Sequence, residues 1–352
     1  MEKNLWQEEQ YLSEWLNRFA EMFRYPTSCV IAAIVSPLNE MVTAYDRIDE
    51  TIPHKPDMHT LFEIGSITKV FTTILLTKFV VQGKIDPDKP IGNLIEELRG
   101  IPDWITPRNL ASHASGLPTF PVEIMEGPEV DPDNPGKHIT GKELFEWMHK
   151  YCPQEAPEPG SFLYSNTGMG LLGELIARAA GADYYAALRE EILKPLNLAD
   201  TVIDADEDQR SRLVIPHNVN GPTNFLELQA LAPAGTLCST MSDLISFARS
   251  VISAPGKDEI VSAAIMKSLE VQQAAKDGIA DRCMGWFRLS QQGNLPSIYF
   301  HNGGTGGSAS ELFICPEANL ATILLANHNR ADGRECDPIP MVYELIGKAS
   351  GD

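Results

Sequence analysis

Apolar positions along the chain follow two periods, and the order of those periods sets the architecture. Between residues 10 and 23, Tyr11, Leu12, Trp15, Leu16, Phe19, Met22 and Phe23 fall on one side of a helix. Cys29 to Val35 is apolar throughout at strand length, the pattern of a central strand. Pro37-Leu38-Asn39 reads as a turn, with Met41 to Tyr45 as the hairpin partner. After Ser66, Val70, Phe71, Ile74, Leu75 and Phe79 recur at helical spacing, and a charged, proline-bearing loop from Gly83 to Pro90 ends that helix. From there to about residue 280 the pattern is helical with long loops. Thr140 to Glu143 forms a capping box ahead of Leu144, Phe145, Trp147 and Met148. Further helices are predicted over 168–180, 184–194, 244–252 (capped from Thr240 to Asp243) and 258–275. Strand patterns return at 285–289, 297–300, 310–315 and 320–326, before a terminal helix near 338–348.

Both ends therefore supply strands and the middle supplies helices. The expected fold is α+β: one antiparallel sheet built from the N- and C-terminal segments and flanked by helices, with a mainly helical domain inserted. The expected boundaries are 1–82 plus 281–352 for the sheet domain and 83–280 for the helical one, with the active site at their interface. A chain of 352 residues, 43% hydrophobic and 22% charged, is long enough for one large or two medium domains. Its 28 basic and 48 acidic residues give a net charge of −20, which opposes binding to nucleic acid or anionic membranes. No run of about 18 apolar residues occurs. Met1 to Glu8 has no secretory pattern, so a cytoplasmic location is expected. Six cysteines, Cys29, Cys152, Cys238, Cys283, Cys315 and Cys336, stand singly, and no metal or other cofactor is expected. A loop rich in Pro, Glu, Asp and Gly between Pro118 and Gly136 is a solvated excursion or, over 119–139, a wall of the pocket.

Candidate chemistry begins at Gly65-Ser66-Ile67-Thr68-Lys69, the one place where a serine is followed at the third position by lysine. A serine hydroxyl needs a neighbouring base, and a helix starting near Ser66 puts Lys69 one turn away on the same face. The helix N-terminus favours a developing oxyanion, and half-burial lowers the lysine toward a usable base. By itself the spacing is weak, and a helix cap with a surface lysine accounts for it more simply. A second candidate is Tyr164-Ser165-Asn166. Two residues apart on an extended segment share a side, and a tyrosine near a lysine is expected to lose its proton more easily and relay it. Asn166 offers a donor and an acceptor to a substrate or to Lys69, or else caps the next helix. The third is His301-Asn302-Gly303-Gly304, read as leaving one strand for another. Its glycines make a tight turn or let a backbone N–H approach a ligand, while His301 holds a proton or orients a carboxylate.

Gly168-x-Gly170-x-x-Gly173 fits a dinucleotide pattern but sits in a helical stretch without a leading strand. The glycines at 303–307 lack the ending of a phosphate loop, and neither G-x-S-x-G nor H-E-x-x-H occurs.

Ser66-x-x-Lys69, Tyr164-x-Asn166 and His301-x-Gly303, in that order, resemble the serine β-lactamase/penicillin-binding-protein superfamily, in the class C β-lactamase-like form. Leu110 to Pro118, Lys194 to Thr201, Ala232 to Thr240 and His301 to Asn327 also look like segments of that family, so the likeness spans roughly residues 25 to 330. It implies Ser66 as the acylated nucleophile, Lys69 as base, Tyr164 sharing proton transfer and Asn166 positioning substrate. The implied oxyanion donors are the N–H groups of Ser66 and Gly304. Class C β-lactamases carry lysine where this chain has His301, and histidine there is similar to esterases, D-peptidases and acyltransferases. The expected function is a serine hydrolase cleaving a small ester or amide. Alternatives are a cytosolic acyltransferase of secondary metabolism, a D-amino-acid peptidase or amidase, and a non-catalytic binding or scaffold member. The expected partner is a small acyl substrate, with no nucleic acid or membrane.

Overall fold

The computed structural model describes residues 5–351 except 27, 47–54, 127–129, 133, 258, 277–279, 291–294 and 330–336. Cys336 and part of the 119–139 loop lie outside the described residues. The strands are β1 (Val30–Val35), β2 (Glu40–Tyr45), β3 (Leu61–Glu63), β4 (His217–Asn218), β5 (Gly221–Pro222), β6 (Cys238–Thr240), β7 (Asp281–Arg282), β8 (Phe287–Leu289), β9 (Ile298–Gly304), β10 (Ala309–Cys315) and β11 (Leu320–Ala326). The α-helices are α1 (Glu9–Glu21), α2 (Thr68–Val81), α3 (Pro107–Ala111), α4 (Gly141–Tyr151), α5 (Asn166–Ala180), α6 (Tyr184–Leu188), α7 (Glu207–Arg212), α8 (Met241–Ile252), α9 (Ile260–Ser268) and α10 (Ile339–Ser350).

Seven strands form an antiparallel sheet in the order β2-β1-β11-β10-β9-β8-β7. The N- and C-terminal segments meet where β1 pairs with β11, Val30 opposite Ala326. β1 reads as continuously apolar because both its faces are covered: Ile31, Ala33 and Val35 belong to the main core, and Val30, Ala32 and Ile34 to a second. The second core is closed by α1 (Leu12, Trp15, Leu16, Phe19) and α10 (Val342, Leu345, Ile346). The Trp15 indole N–H ties these helices together by donating to the Met341 carbonyl at 2.9 Å.

On the other face, α2 is buried from Thr68 to Phe79, which accounts for its nearly uniform apolar surface. Its threonine hydroxyls reach outward as ties: Thr72 donates to the Pro233 carbonyl at 2.7 Å, Thr73 to Met284 at 2.9 Å and Thr77 to Ala264 at 2.8 Å. A two-stranded ladder, β3 with β6, leads the chain into α2. The main core runs through both expected units, since α8 packs on β1, β10 and β11 although it lies within 83–280.

Several expectations change in detail. The helix over 258–275 is confined to Ile260–Ser268, beyond which Gln273 bridges to Arg282. The helix over 184–194 is α only to Leu188 and continues as a π-helical turn, Arg189–Leu193. The Gly168, Gly170, Gly173 pattern is a packing device: a Cβ on Gly170 would come within 2.7 Å of Leu231, and one on Gly173 within 2.2 Å of Pro233. Five cysteines, Cys29, Cys152, Cys238, Cys283 and Cys315, are free and buried.

Candidate active site

Ser66 lies in a 3₁₀ turn, Gly65–Ile67, that runs directly into α2. Ile64 donates its N–H to the Leu237 carbonyl at 2.9 Å, anchoring the turn to the stretch before β6. Gly65 has φ +50° and faces β9 so closely that a Cβ would come within 2.7 Å of the Gly304 nitrogen.

Lys69 Nζ lies 2.9 Å from Ser66 Oγ and donates to the Ala234 carbonyl at 2.6 Å. The expected half-burial is in fact complete. Burial pushes the amine well below the ordinary lysine range. The Tyr164 ring sits 4.7 Å from Nζ, a contact that favours the charged form, but it does not offset desolvation. Tyr164 departs from expectation in the opposite sense. Burial raises its phenol above the usual value, while a hydrogen bond with Ser66 pulls back only in part. It is held as a neutral hydroxyl, able to give a proton and take one back.

Asn166 is the first residue of α5, not part of an extended segment with Tyr164. The helix is capped instead by Ser165, whose Oγ accepts the Gly168 N–H at 2.8 Å. The Asn166 N–H donates to the Thr119 carbonyl at 2.9 Å, and the Thr119 hydroxyl donates to the Tyr164 carbonyl at 2.9 Å, so the 119–139 loop braces this segment. Asn166 Oδ1 is buried without a hydrogen-bond partner among the described residues, and the side chain makes no bond to Lys69.

His301, Gly303 and Gly304 lie within β9, so the glycine turn expected here falls after them, at Thr305 to Ser308. Gly303 admits no side chain, since a Cβ would lie 2.0 Å from the Ile64 carbonyl oxygen and 2.3 Å from Ser310 Oγ. Nothing lies within 4 Å of the corresponding position on Gly304. His301 is buried, and burial followed by the Lys69 charge pushes it down to about 3. Its Nδ1 stands 2.6 Å from the Asn302 carbonyl and must carry the hydrogen, so Nε2, buried and without a partner among the described residues, is a pure acceptor. The imidazole is therefore neutral, and of the two roles expected for it the orienting of a carboxylate would have to be met without a positive charge.

Ser66, Lys69 and Tyr164 are thus in direct contact, with the β9 backbone beside them and His301's ring 6.3 Å from that of Tyr164. Three further participants escaped the sequence reading. The Ala234 carbonyl leaves no side-chain signal. Glu63, buried, accepts the Leu226 N–H and the Thr305 hydroxyl, each at 2.6 Å; an acid inside the apolar run Leu61 to Ile64 was its visible mark. His113 packs its ring 4.5 Å from that of Tyr164. Among the described residues, no group of three His, Cys, Asp or Glu is placed to hold a metal ion, and no helix is long and apolar enough to cross a membrane.

This serine–lysine centre on an antiparallel sheet backed by helices defines the serine β-lactamase/penicillin-binding-protein class, in its class C-like form. A family model described as Beta-lactamase matches residues 29–340, and the chain belongs to that family. It is 25% identical to the D-alanyl-D-alanine-carboxypeptidase/endopeptidase AmpH of Escherichia coli (strain K12), covering 98% of this chain and 91% of that protein. A β-lactamase of Providencia stuartii is 32% identical over 53% of this chain and 46% of its own. A class C β-lactamase from Rhodobacter sphaeroides shares the fold, with a TM-score of 0.78 at 21% identity over 95% of this chain and 97% of that one.

Proposed function

We propose that this protein is a serine hydrolase that cleaves a small, uncharged ester or amide through an acyl-enzyme on Ser66. The observation that carries the reading is Lys69 Nζ, desolvated and 2.9 Å from Ser66 Oγ. A neutral amine there takes the hydroxyl proton as Oγ attacks the substrate carbonyl. The N–H groups of Ser66 and Gly304 receive the negative charge that develops on the carbonyl oxygen. As the tetrahedral species collapses, Tyr164 gives its proton to the departing oxygen or nitrogen and regains one from the Lys69 ammonium. Water then attacks the ester carbonyl, its proton returns along the same path, and Ser66 is restored. An alcohol or amine in place of water would make the reaction an acyl transfer.

Uncharged substrates are favoured because His301, buried beside the site and neutral, offers no cation to an anionic one. The similarity to AmpH along nearly the whole chain favours a second reading, hydrolysis of peptides carrying D-amino acids. Intact mass after incubation with a fluorophosphonate, a fluorescent penicillin, neutral esters and D-alanyl-D-alanine peptides tests both. A single adduct on Ser66, absent in Ser66→Ala, with turnover of neutral esters is expected. Turnover confined to peptides with a free carboxylate selects the second reading, and no adduct with any reagent ends both.

A further inference from the structure

His113 follows α3 with a backbone φ of +58°, a conformation uncommon for any residue but glycine. That backbone turns its carbonyl toward Leu163, whose N–H donates to it at 3.0 Å. Its side chain reaches the other way along the same segment, and Nδ1 accepts the Ser165 N–H at 3.1 Å. Leu163 and Ser165 are the two chain neighbours of Tyr164, so one residue holds the peptide N–H on each side of the phenol. The imidazole also lies 4.5 Å from the Tyr164 ring at an interplanar angle of 37°, and edge-on to Phe162 at 5.8 Å. It is buried, which leaves the ring no alternative position in solvent.

We infer that His113 is a positioning residue that fixes the Tyr164 hydroxyl over Ser66 by clasping the backbone on both sides of it. This rests on the reading of Tyr164 as the proton carrier to the leaving group. The clasp requires a lone pair on Nδ1, so the proton is on Nε2. A second proton on the ring would set an N–H against the Ser165 N–H and open it. Desolvation, then Lys69, His301 and Arg282, all disfavour that second proton.

Leaving groups separate this role from a merely structural one. An alkyl ester needs its departing oxygen protonated and a nitrophenyl ester does not, so displacement of Tyr164 slows the first selectively. His113→Gly removes ring and acceptor while accepting the positive φ. His113→Asn restores an acceptor near the position of Nδ1 and tolerates the same backbone. The expected result, read as the single-turnover rate of acylation, is a loss on alkyl esters of about 10²-fold in the glycine variant, with the half-saturating concentration little changed. The loss on nitrophenyl esters stays under about tenfold, and asparagine recovers most of the alkyl-ester rate. Should the glycine variant lose its cooperative melt, His113→Phe, which keeps a ring without the acceptor, is read in its place. Equal losses on both esters, or an asparagine variant no better than glycine, overturn the inference. Tyr164→Phe run alongside separates the two failures. If it is not selective for alkyl esters, the proton-carrier reading falls and the inference with it. If it is selective and the His113 variants are not, the inference alone falls.

Discussion

Lys69 holds its nitrogen 4.7 Å from the centre of the Tyr164 ring and 2.9 Å from Ser66 Oγ. In the proposed mechanism this arrangement sets the order of proton movement. There the phenol, raised by burial, does not start as a phenolate, and the amine, lowered by burial, is the base. The two shifts share one cause and have opposite chemical consequences, because desolvation removes a cation from lysine and an anion from tyrosine.

Lys69→Ala should cut the acylation rate by about 10²–10⁴-fold. Lys69→Arg should fare no better, because a guanidinium stays protonated at any working pH. Single-turnover intact mass on a nitrophenyl ester reads this directly. Acylation near the wild-type rate in either variant removes Lys69 as the base.

The same lysine makes stability depend on pH with a definite sign. Its folded value is lowered, so between that value and the ordinary value near 10.4 the unfolded chain binds a proton that the folded chain does not. Wild-type stability therefore gains with rising pH through that window from this group. Lys69→Met has no such term, and the difference in Tm, variant minus wild type, should become steadily less positive as pH rises toward about 10. Parallel melting curves over that range would show Lys69 to be as protonated folded as unfolded.

His301, lowered to about 3, stays neutral across the range in which histidine usually titrates. The pH profile for a neutral ester should therefore show no inflection from His301 between about pH 5 and 8, and His301→Asn should leave that part of the profile unchanged. An ester of the same size bearing a carboxylate on its acyl side lacks a charged partner worth about 1.5–3 kcal/mol. Its kcat/KM should be lower by about 10–100-fold. Equal turnover of the two esters would mean that another cation serves the acyl group.

Gly303 and Gly304 are adjacent and should respond differently. A methyl group on Gly303 collides with the Ile64 carbonyl, the residue before the Gly65–Ile67 turn, so β9 must move away from Ser66. Gly303→Ala should lower stability by about 1–3 kcal/mol and cost about 10²-fold in kcat through the displaced Gly304 N–H. Gly304→Ala meets nothing within 4 Å and should melt like wild type. Denaturant titration beside steady-state kinetics distinguishes them. A Gly303→Ala protein with unchanged stability would mean that the strand yields freely.

Much of the fold was legible because each element carries a local pattern. Trp15 and Phe19 mark α1, the unbroken apolar run marks β1 as central, and Thr140 with Glu143 caps α4 as the capping box predicts. What escaped depends on contacts distant in sequence. β9 runs on through Gly303 and Gly304 because Ser310 and Ala309 pair with them, which no property of glycine announces. The site was legible as three motifs whose spacing names residue types. The degree of burial is not written in spacing, and burial lowers Lys69 and His301 and raises Tyr164. Residues that act through hydrogen bonds across the fold, Glu63 and His113, left weaker marks still.

Glu63 joins three segments at the site: it ends β3 three residues before Ser66, accepts from Leu226, and accepts from Thr305 in the turn that follows Gly304. Burial raises its carboxyl above the ordinary range despite these hydrogen bonds. The folded chain thus binds this proton more tightly than the unfolded chain. The favourable contribution is complete below the ordinary value near 4.3 and is lost as pH rises through the folded value. Ionisation of this group therefore costs stability, while its hydrogen bonds fix the turn beside Gly304. Glu63→Gln keeps an acceptor for the Leu226 N–H, and its amide can face hydroxyls that rotate to accept. It should melt above wild type near pH 7, with the advantage shrinking toward pH 4. Glu63→Ala leaves the Thr305 turn untied and should lose about 10-fold or more in kcat through a displaced Gly304 N–H, with glutamine recovering part of the loss. Melting curves at several pH values, paired with kcat for the two variants, test both halves. A glutamine variant that melts below wild type at pH 7 would show the ionised carboxylate to be a net stabiliser.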